Sequence, residues 1–347
     1  MGASATRSSG MRQRNFEPAA DPVVSFVYRE PSATKPAAIT WKDVLEIVRL
    51  PVFAVLARLV PASRWQGLSQ AIVRLARMPK AGANKRLTAI AQALGQQPDS
   101  VSVAEIETER AAAFYETRLQ FMRFYPFGQW SPRLDVQGLH HLEEAVKAGR
   151  GVILWVTSFQ NSSLFAKMAL WQAGARVHHL SRPGHGFSET RFGIAVLNPL
   201  RTRIENRFLA SRILINDGDT KTPLETMNNL LARGEIISIT VSTVEGRRFA
   251  MVPFLSGYLK LATGAPALSF ASGAQLLPVF AVRTGPDTFR ATIGAPLPRA
   301  GSKEDTIRAA CAAYVNALRP FVLSFPGQWH GWRNLTRDRA TDNSGLP

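Results

Sequence analysis

The stretch Gly151-Val-Ile-Leu-Trp-Val-Thr-Ser-Phe-Gln-Asn-Ser-Ser-Leu-Phe165 decides the fold. Its first part, Gly151 to Val156, is an unbroken apolar run of strand length. Its end runs on into Leu164-Phe-Ala-Lys-Met-Ala-Leu-Trp171, where apolar residues at 164, 165, 168, 169 and 171 follow the period of an amphipathic helix. A strand apolar on both faces that leads into a helix is the βα unit of a parallel sheet. The junction between them is where an α/β enzyme usually gathers its chemistry. Here Val156 to Phe165 holds three serines, a threonine, a glutamine and an asparagine, and no side chain that titrates near neutrality.

Outward from this unit the same alternation continues. Strands are predicted near 151–157, 175–181, 212–216, 235–241, 249–254, 276–283 and 288–293, and helices near 139–148, 161–173, 221–233, 258–272 and 302–324. The expected fold is therefore α/β, a single domain with a mostly parallel sheet flanked by helices, over residues 133–335. Residues 39–132 read as a basic helical section, with Ser102 and Glu105 spaced as a capping box at the start of its last helix. Residues 1–38 are rich in Ala, Ser, Pro and Arg without periodicity and read as a disordered arm, and 336–347 as a flexible tail. Met1-Gly-Ala-Ser-Ala-Thr6 matches a myristoylation pattern, and no apolar segment of secretory type follows the early arginines.

Lys and Arg number 42 against 25 Asp and Glu, giving +17, and the excess is uneven. Between Ile47 and Pro98 stand Arg49, Arg58, Arg64, Arg74, Arg77, Lys80, Lys85 and Arg86 and no acidic residue. The block includes most of Leu45 to Val60, a segment rich in Leu, Val and Phe but too charged and too short for an ordinary transmembrane helix. Two readings fit it. One is an interfacial helix on an anionic leaflet, each near-surface cation contributing about 1 kcal/mol. The other is a helix that caps the domain with a solvated basic face. Aromatic and basic residues do not alternate as on an RNA-binding sheet, so no nucleic-acid partner is expected. One cysteine, Cys311, and six scattered histidines give neither a disulfide nor a zinc spacing.

The order of Gly138-Leu-His-His-Leu142, Gly149-Arg-Gly-Val-Ile-Leu154, Ser181-Arg-Pro183, Val252-Pro-Phe-Leu-Ser-Gly257, Thr263-Gly-Ala265, Leu277-Pro-Val-Phe280 and Pro326-Gly-Gln-Trp329 carries a resemblance from about Trp41 to Asn334. It resembles the glycerolipid and lysophospholipid acyltransferase superfamily, nearest its bacterial late lipid A acyltransferase branch. The resemblance implies transfer of a fatty acyl group from a thioester on acyl carrier protein or coenzyme A to a lipid hydroxyl. It also implies a place at the cytoplasmic face of the inner membrane, on anionic lipids, with no resident cofactor. In that family a histidine deprotonates the acceptor hydroxyl and an acid five positions later orients it. Laid on this chain, the histidine falls on Ser158 and the acid on Ser163, while Phe159 and Asn161 keep the family's look as substrate contacts. A further acid of the branch falls near Ser242 or Thr243, with Glu245 the nearest carboxylate. Arg182 matches a strand-end arginine that meets a phosphate or carbonyl oxygen, though a surface arginine in a turn before proline explains it as well.

A serine hydroxyl does not act as a base near neutral pH, so the proton must go elsewhere. His178 and His179 are strand neighbours facing opposite sides of the sheet and read as structural, His140 and His141 as solvent-facing, and His330 as part of the carboxy-terminal Gln328-Trp-His-Gly-Trp332 segment. His185, between two glycines past the strand that ends at Ser181, is the candidate base, or else a loop histidine with no role. Glu189 would orient it if the segment were helical. Two functions follow. One is an acyltransferase with His185 as base and with Ser158, Asn161, Ser163 and Arg182 around the reacting carbonyl. The other is an inert relative that binds acyl chains or lipid, or that partners an active enzyme.

Overall fold

The computed structural model describes residues 24–28, 36–75, 83–95, 101–160, 162–216, 219–241 and 246–336. In chain order the first elements are β1 (Ser25–Tyr28), α1 (Trp41–Leu59), α2 (Trp65–Leu75), α3 (Ala83–Leu94), α4 (Val101–Met122), β2 (Arg133–Gln137) and α5 (Leu139–Lys147). The middle holds β3 (Val152–Val156), α6 (Ser162–Gln172), β4 (Val177–Ser181), α7 (Asn198–Asn206), β5 (Ser211–Leu214), α8 (Lys221–Ala232) and β6 (Ile236–Thr240). The rest comprises β7 (Arg248–Phe254), β8 (Gly257–Ala262), α9 (Gly264–Ser272), β9 (Gln275–Gly285), β10 (Thr288–Ile293), α10 (Lys303–Ser324) and β11 (Leu335–Thr336).

Seven strands form the main sheet, in the order β2-β10-β9-β3-β6-β4-β5. The five from β9 to β5 run parallel. β10 is antiparallel to β9 and parallel to β2. β3 is central and buried along its whole length. Its side chains alternate in destination: Ile153 and Trp155 join the core with α8, α9 and α10, while Val152, Leu154 and Val156 join that with α5 and α6. The continuous apolar run thus reflects helices on both faces.

The helical front section closes over α6. Leu50, Phe53 and Ala57 of α1, Trp65 of α2 and Phe121 of α4 share one core with Phe165 and Met168. α1 also fastens a later loop, because buried Asp43 accepts hydrogen bonds from Thr40 N at 2.6 Å, Thr190 Oγ1 at 3.0 Å and the Ser188 hydroxyl. The opposite face of α1 is apolar too. Trp41, Val44, Val48, Val52, Val55 and Leu59 recur at helical spacing and are exposed, the end residues by 70% and 75%. No described helix is long and apolar enough to cross a membrane.

Four expectations change. The helix predicted over 258–272 begins only at Gly264. Residues 257–262 are instead β8, hairpinned to β7, with Leu259 and Leu261 buried in alternation with Tyr258 and Lys260. The arm expected over 1–38 lies mostly outside the described residues, but its Ser25–Tyr28 piece is a strand paired with β7, with the Phe26 ring under Arg248. Ser102 is the second residue of α4 rather than the residue that precedes it. Of the tail, Thr336 pairs with Tyr258 and 337–347 lie outside the described residues.

Candidate active site at the carboxyl edge of the sheet

The turn after β3 is held from two sides. Thr157 Oγ1 lies 2.5 Å from Tyr314 Oη of α10, and Phe159 pairs by a β-bridge with Trp329. Gln160 N donates to Gln328 O at 2.6 Å, and His330 N to Ser158 O at 3.2 Å. Gln160 Nε2 reaches Glu116 at 3.0 Å, a buried carboxylate that also receives Arg283 at 2.7 Å. The carboxy-terminal Pro326–Trp329 segment therefore serves to lock this turn. Ser158 is half-buried, and Phe159 is a core side chain in contact with that segment rather than an open contact surface. Asn161 and residues 242–245 lie outside the described residues.

A second, charged cluster stands between the start of α6 and the loop after β4, and Glu205 of α7 is its centre. Glu205 is 0% exposed and receives His185 Nε2 at 2.9 and 3.0 Å, Arg201 Nε at 3.0 Å and Arg212 Nη2 at 2.8 Å. Lys167 Nζ lies 3.2 Å from it. Arg201 Nη2 donates to Ser163 Oγ at 2.5 Å, so the position five residues after Ser158 is wired into the cluster. Arg212 Nη1 donates to Ser181 Oγ at 2.8 Å, tying in the end of β4.

The loop that presents His185 is built by Asn198. Its Oδ1 accepts Phe187 N at 2.8 Å and Ser188 N at 3.0 Å, and its Nδ2 donates to Ser188 O at 2.8 Å. Gly186 is needed beneath it, since a Cβ there would stand 2.2 Å from Asn198 Oδ1. His185 N donates to Arg182 O at 3.0 Å, a turn that brings the main chain of His185 back onto that of the strand-end arginine. Arg182 is half-buried.

Burial favours a protonated Glu205, but the charges of His185 and Lys167 and the His185 hydrogen bond hold its carboxyl well below the usual range. Burial pulls Lys167 down to about 8 against the attraction of Glu205. Burial likewise lowers His185, opposed by Glu205 and assisted by the nearby Arg201. An ionised carboxylate only accepts, so the neutral imidazole places its proton on Nε2 and leaves the Nδ1 lone pair unused by Glu205. With His185 neutral, Lys167, Arg201 and Arg212 outnumber the one carboxylate, and the site is net positive.

The carboxylate that meets the His185 imidazole is thus Glu205 and not Glu189. The segment from Arg182 to Glu189 is turns and bends, and Glu189 is exposed. His178 and His179 face opposite ways as read, His178 Nδ1 meeting Ser211 Oγ at 2.7 Å and buried His179 Nδ1 meeting Ser238 Oγ at 2.8 Å. The histidine whose main chain touches the Ser158 turn is His330, whereas His185 connects to Ser163 through Glu205 and Arg201. Sequence reasoning missed Lys167, Arg201, Glu205 and Arg212. Two signals were present: a lone lysine inside the apolar Leu164–Trp171 helix, and a single acid among arginines in Arg201-Thr-Arg-Ile-Glu-Asn-Arg207.

An α/β domain with its polar turn, strand-end arginine and basic cluster at the carboxyl edge of a parallel sheet is the class of protein in hand. Over residues 40–335 the chain matches the family described as bacterial lipid A biosynthesis acyltransferase. The match covers well over half of the chain, which belongs to that family, and acyl transfer is the activity that membership supports. Among curated proteins none matches it.

Proposed function

We propose that this chain moves a fatty acyl group from a thioester on acyl carrier protein or coenzyme A to a lipid hydroxyl, at the cytoplasmic face of the inner membrane, with His185 as the base. The observation that carries this reading is the pairing of His185 with buried Glu205, in a family of acyltransferases, in a chain with serine at 158 and 163. The acceptor hydroxyl gives its proton to His185 Nδ1 and its oxygen attacks the thioester carbon. The C–S bond then breaks, and the thiolate leaves with the proton that the imidazolium returns. Ser163 accepts from Arg201 and keeps its own proton to donate to the developing oxyanion, alongside Ser158 and Arg182. Asn161 belongs to the same proposed set. Glu205 acts through His185, holding one tautomer, as the acid of a serine hydrolase triad does.

Incubation of the purified protein with acyl-loaded carrier protein or acyl coenzyme A and a lipid panel tests this reading. A lipid gaining the mass of the acyl chain is the expected product. Absence of transfer from both donors, together with retained binding of long acyl chains, would make the protein an inert lipid-binding relative. In that case Ser158→His with Ser163→Glu is expected to create weak turnover. Arg182→Ala should weaken binding of an acyl thioester or lipid phosphate in a protein that still folds, as read by thermal denaturation alongside binding. Unfolding by Arg182→Ala with affinity intact per folded molecule would identify a structural clamp instead.

The outward apolar face of α1 and the basic block beside it support membrane association. Retention on anionic vesicles should fall steeply as salt rises, because exposed charges are screened over about 8 Å at physiological ionic strength. Neutral vesicles should retain little. Equal retention on both kinds would remove the electrostatic part of the reading.

A further inference from the structure

We propose that the loop Tyr125–Gly128 is a membrane-inserting tip, with Phe127 entering the bilayer and Arg58, Arg123, Arg203 and Arg207 taking anionic headgroups around it. This rests on the membrane association proposed above and extends it beyond the basic block of residues 47–98, which contributes only Arg58, to the 123–128 loop and α7. Phe127 is 94% exposed, the most exposed large apolar side chain among the described residues. It lies beside the carboxyl end of α1, because Arg58 Nη2 donates to Tyr125 O at 2.9 Å and Arg123 Nη1 to Ala57 O at 3.3 Å. The outward stripe of α1 ends there, at exposed Leu59.

α7 brings the other two arginines. Tyr125 Oη donates to Leu200 O at 2.7 Å, and the charges of Arg203 and Arg207 both act on that phenol. The Arg207 guanidinium also lies 5.9 Å from the centre of the Phe124 ring. Arg58, Arg203 and Arg207 are exposed and Arg123 half-buried, and none of the four meets a carboxylate among the described residues. The acids of these segments point inward: Asp43, Glu46 and Glu205 are all buried. An exposed aromatic tip beside an apolar helix face, ringed by arginines without counter-charge, matches an anionic leaflet, the hydrocarbon taking the ring and the headgroups the guanidinium groups. A water-soluble acidic protein would satisfy the arginines but leave the phenyl ring and the α1 stripe without an apolar partner.

Phe127→Cys carrying an environment-sensitive fluorophore tests the assignment. The native Cys311 is buried with its thiol pushed up to about 12, so labelling falls on position 127. Emission should shift to the blue and be quenched by lipid-borne quenchers on mixed phosphatidylglycerol and phosphatidylcholine vesicles. Arg203→Gln with Arg207→Gln, in the unlabelled protein, should weaken that binding about 30-fold, the loss of two near-surface charges. A probe that stays in water on vesicles that retain the protein, or an Arg203 and Arg207 double variant that binds as wild type, overturns this surface while membrane association stands. Loss of retention on every vesicle overturns both, and acyl transfer to detergent-dispersed lipid remains a separate measurement.

Discussion

Glu205→Ala is expected to lower stability by about 3–5 kcal/mol, the range for removing one partner of a buried ionic cluster. The carboxylate is completely buried and is the shared acceptor of Arg201, Arg212, Lys167 and His185. Its loss leaves three cations close together in a low-dielectric interior with no anion among them. Urea denaturation near neutral pH reads the loss as a lower midpoint at unchanged slope. Glu205→Gln separates shape from charge: it keeps an acceptor of the same length, and a loss nearly as large assigns the effect to charge. A loss under about 1 kcal/mol would mean that water reaches the cations and screens them, as at surface ion pairs.

The same cluster gives stability a pH dependence of definite sign. Lys167 titrates at about 8 in the folded chain and near its ordinary value when unfolded. Between those values the unfolded chain binds the extra proton, so stability rises with pH from about 8 towards 10.5, by about 3 kcal/mol if Lys167 acts alone. Lys167→Met should remove that slope while leaving other alkaline transitions in place.

The fold was legible where local signals agreed. The Gly151–Val156 run with the Leu164–Trp171 helix placed a buried parallel strand at the sheet centre, and the order of the short motifs placed the family. Reading failed where the period was ambiguous, as in Gly257–Ala262, whose alternating leucines abut a true helix and were absorbed into it. The candidate site was half legible for a different reason. His185 was visible because a histidine between glycines after a strand end is locally distinctive. Its partner was not, because Glu205 lies twenty positions on and meets it only through the folding of α7 against α6. Taken singly, Lys167 and Glu205 are each only a charge on the buried side of a helix. Only their mutual burial turns them into a cluster.

His185→Ala is expected to lower turnover by about 100-fold or more, the scale of lost general-base catalysis, with folding largely retained. Retention of the fold follows from the arrangement of the cluster: Glu205 keeps Arg201, Arg212 and Lys167, so no buried charge is orphaned. In the wild type, burial holds His185 below its ordinary range, so the imidazole is neutral and competent at neutral pH. The acid limb of kcat/KM should therefore fall below the ordinary histidine range, with activity rising as pH rises through it. Glu205→Gln removes the charge that favours the imidazolium, which moves the limb lower still and slows turnover, since the ion formed during transfer loses its partner. Ser158→Ala should cost less than His185→Ala because it removes one polar contact. His330→Ala is the decisive comparison, for its main chain is the histidine segment that touches Ser158. If His330→Ala abolishes turnover while His185→Ala retains it, the proton is taken at the turn after β3, and the Glu205 cluster is a structural ion network.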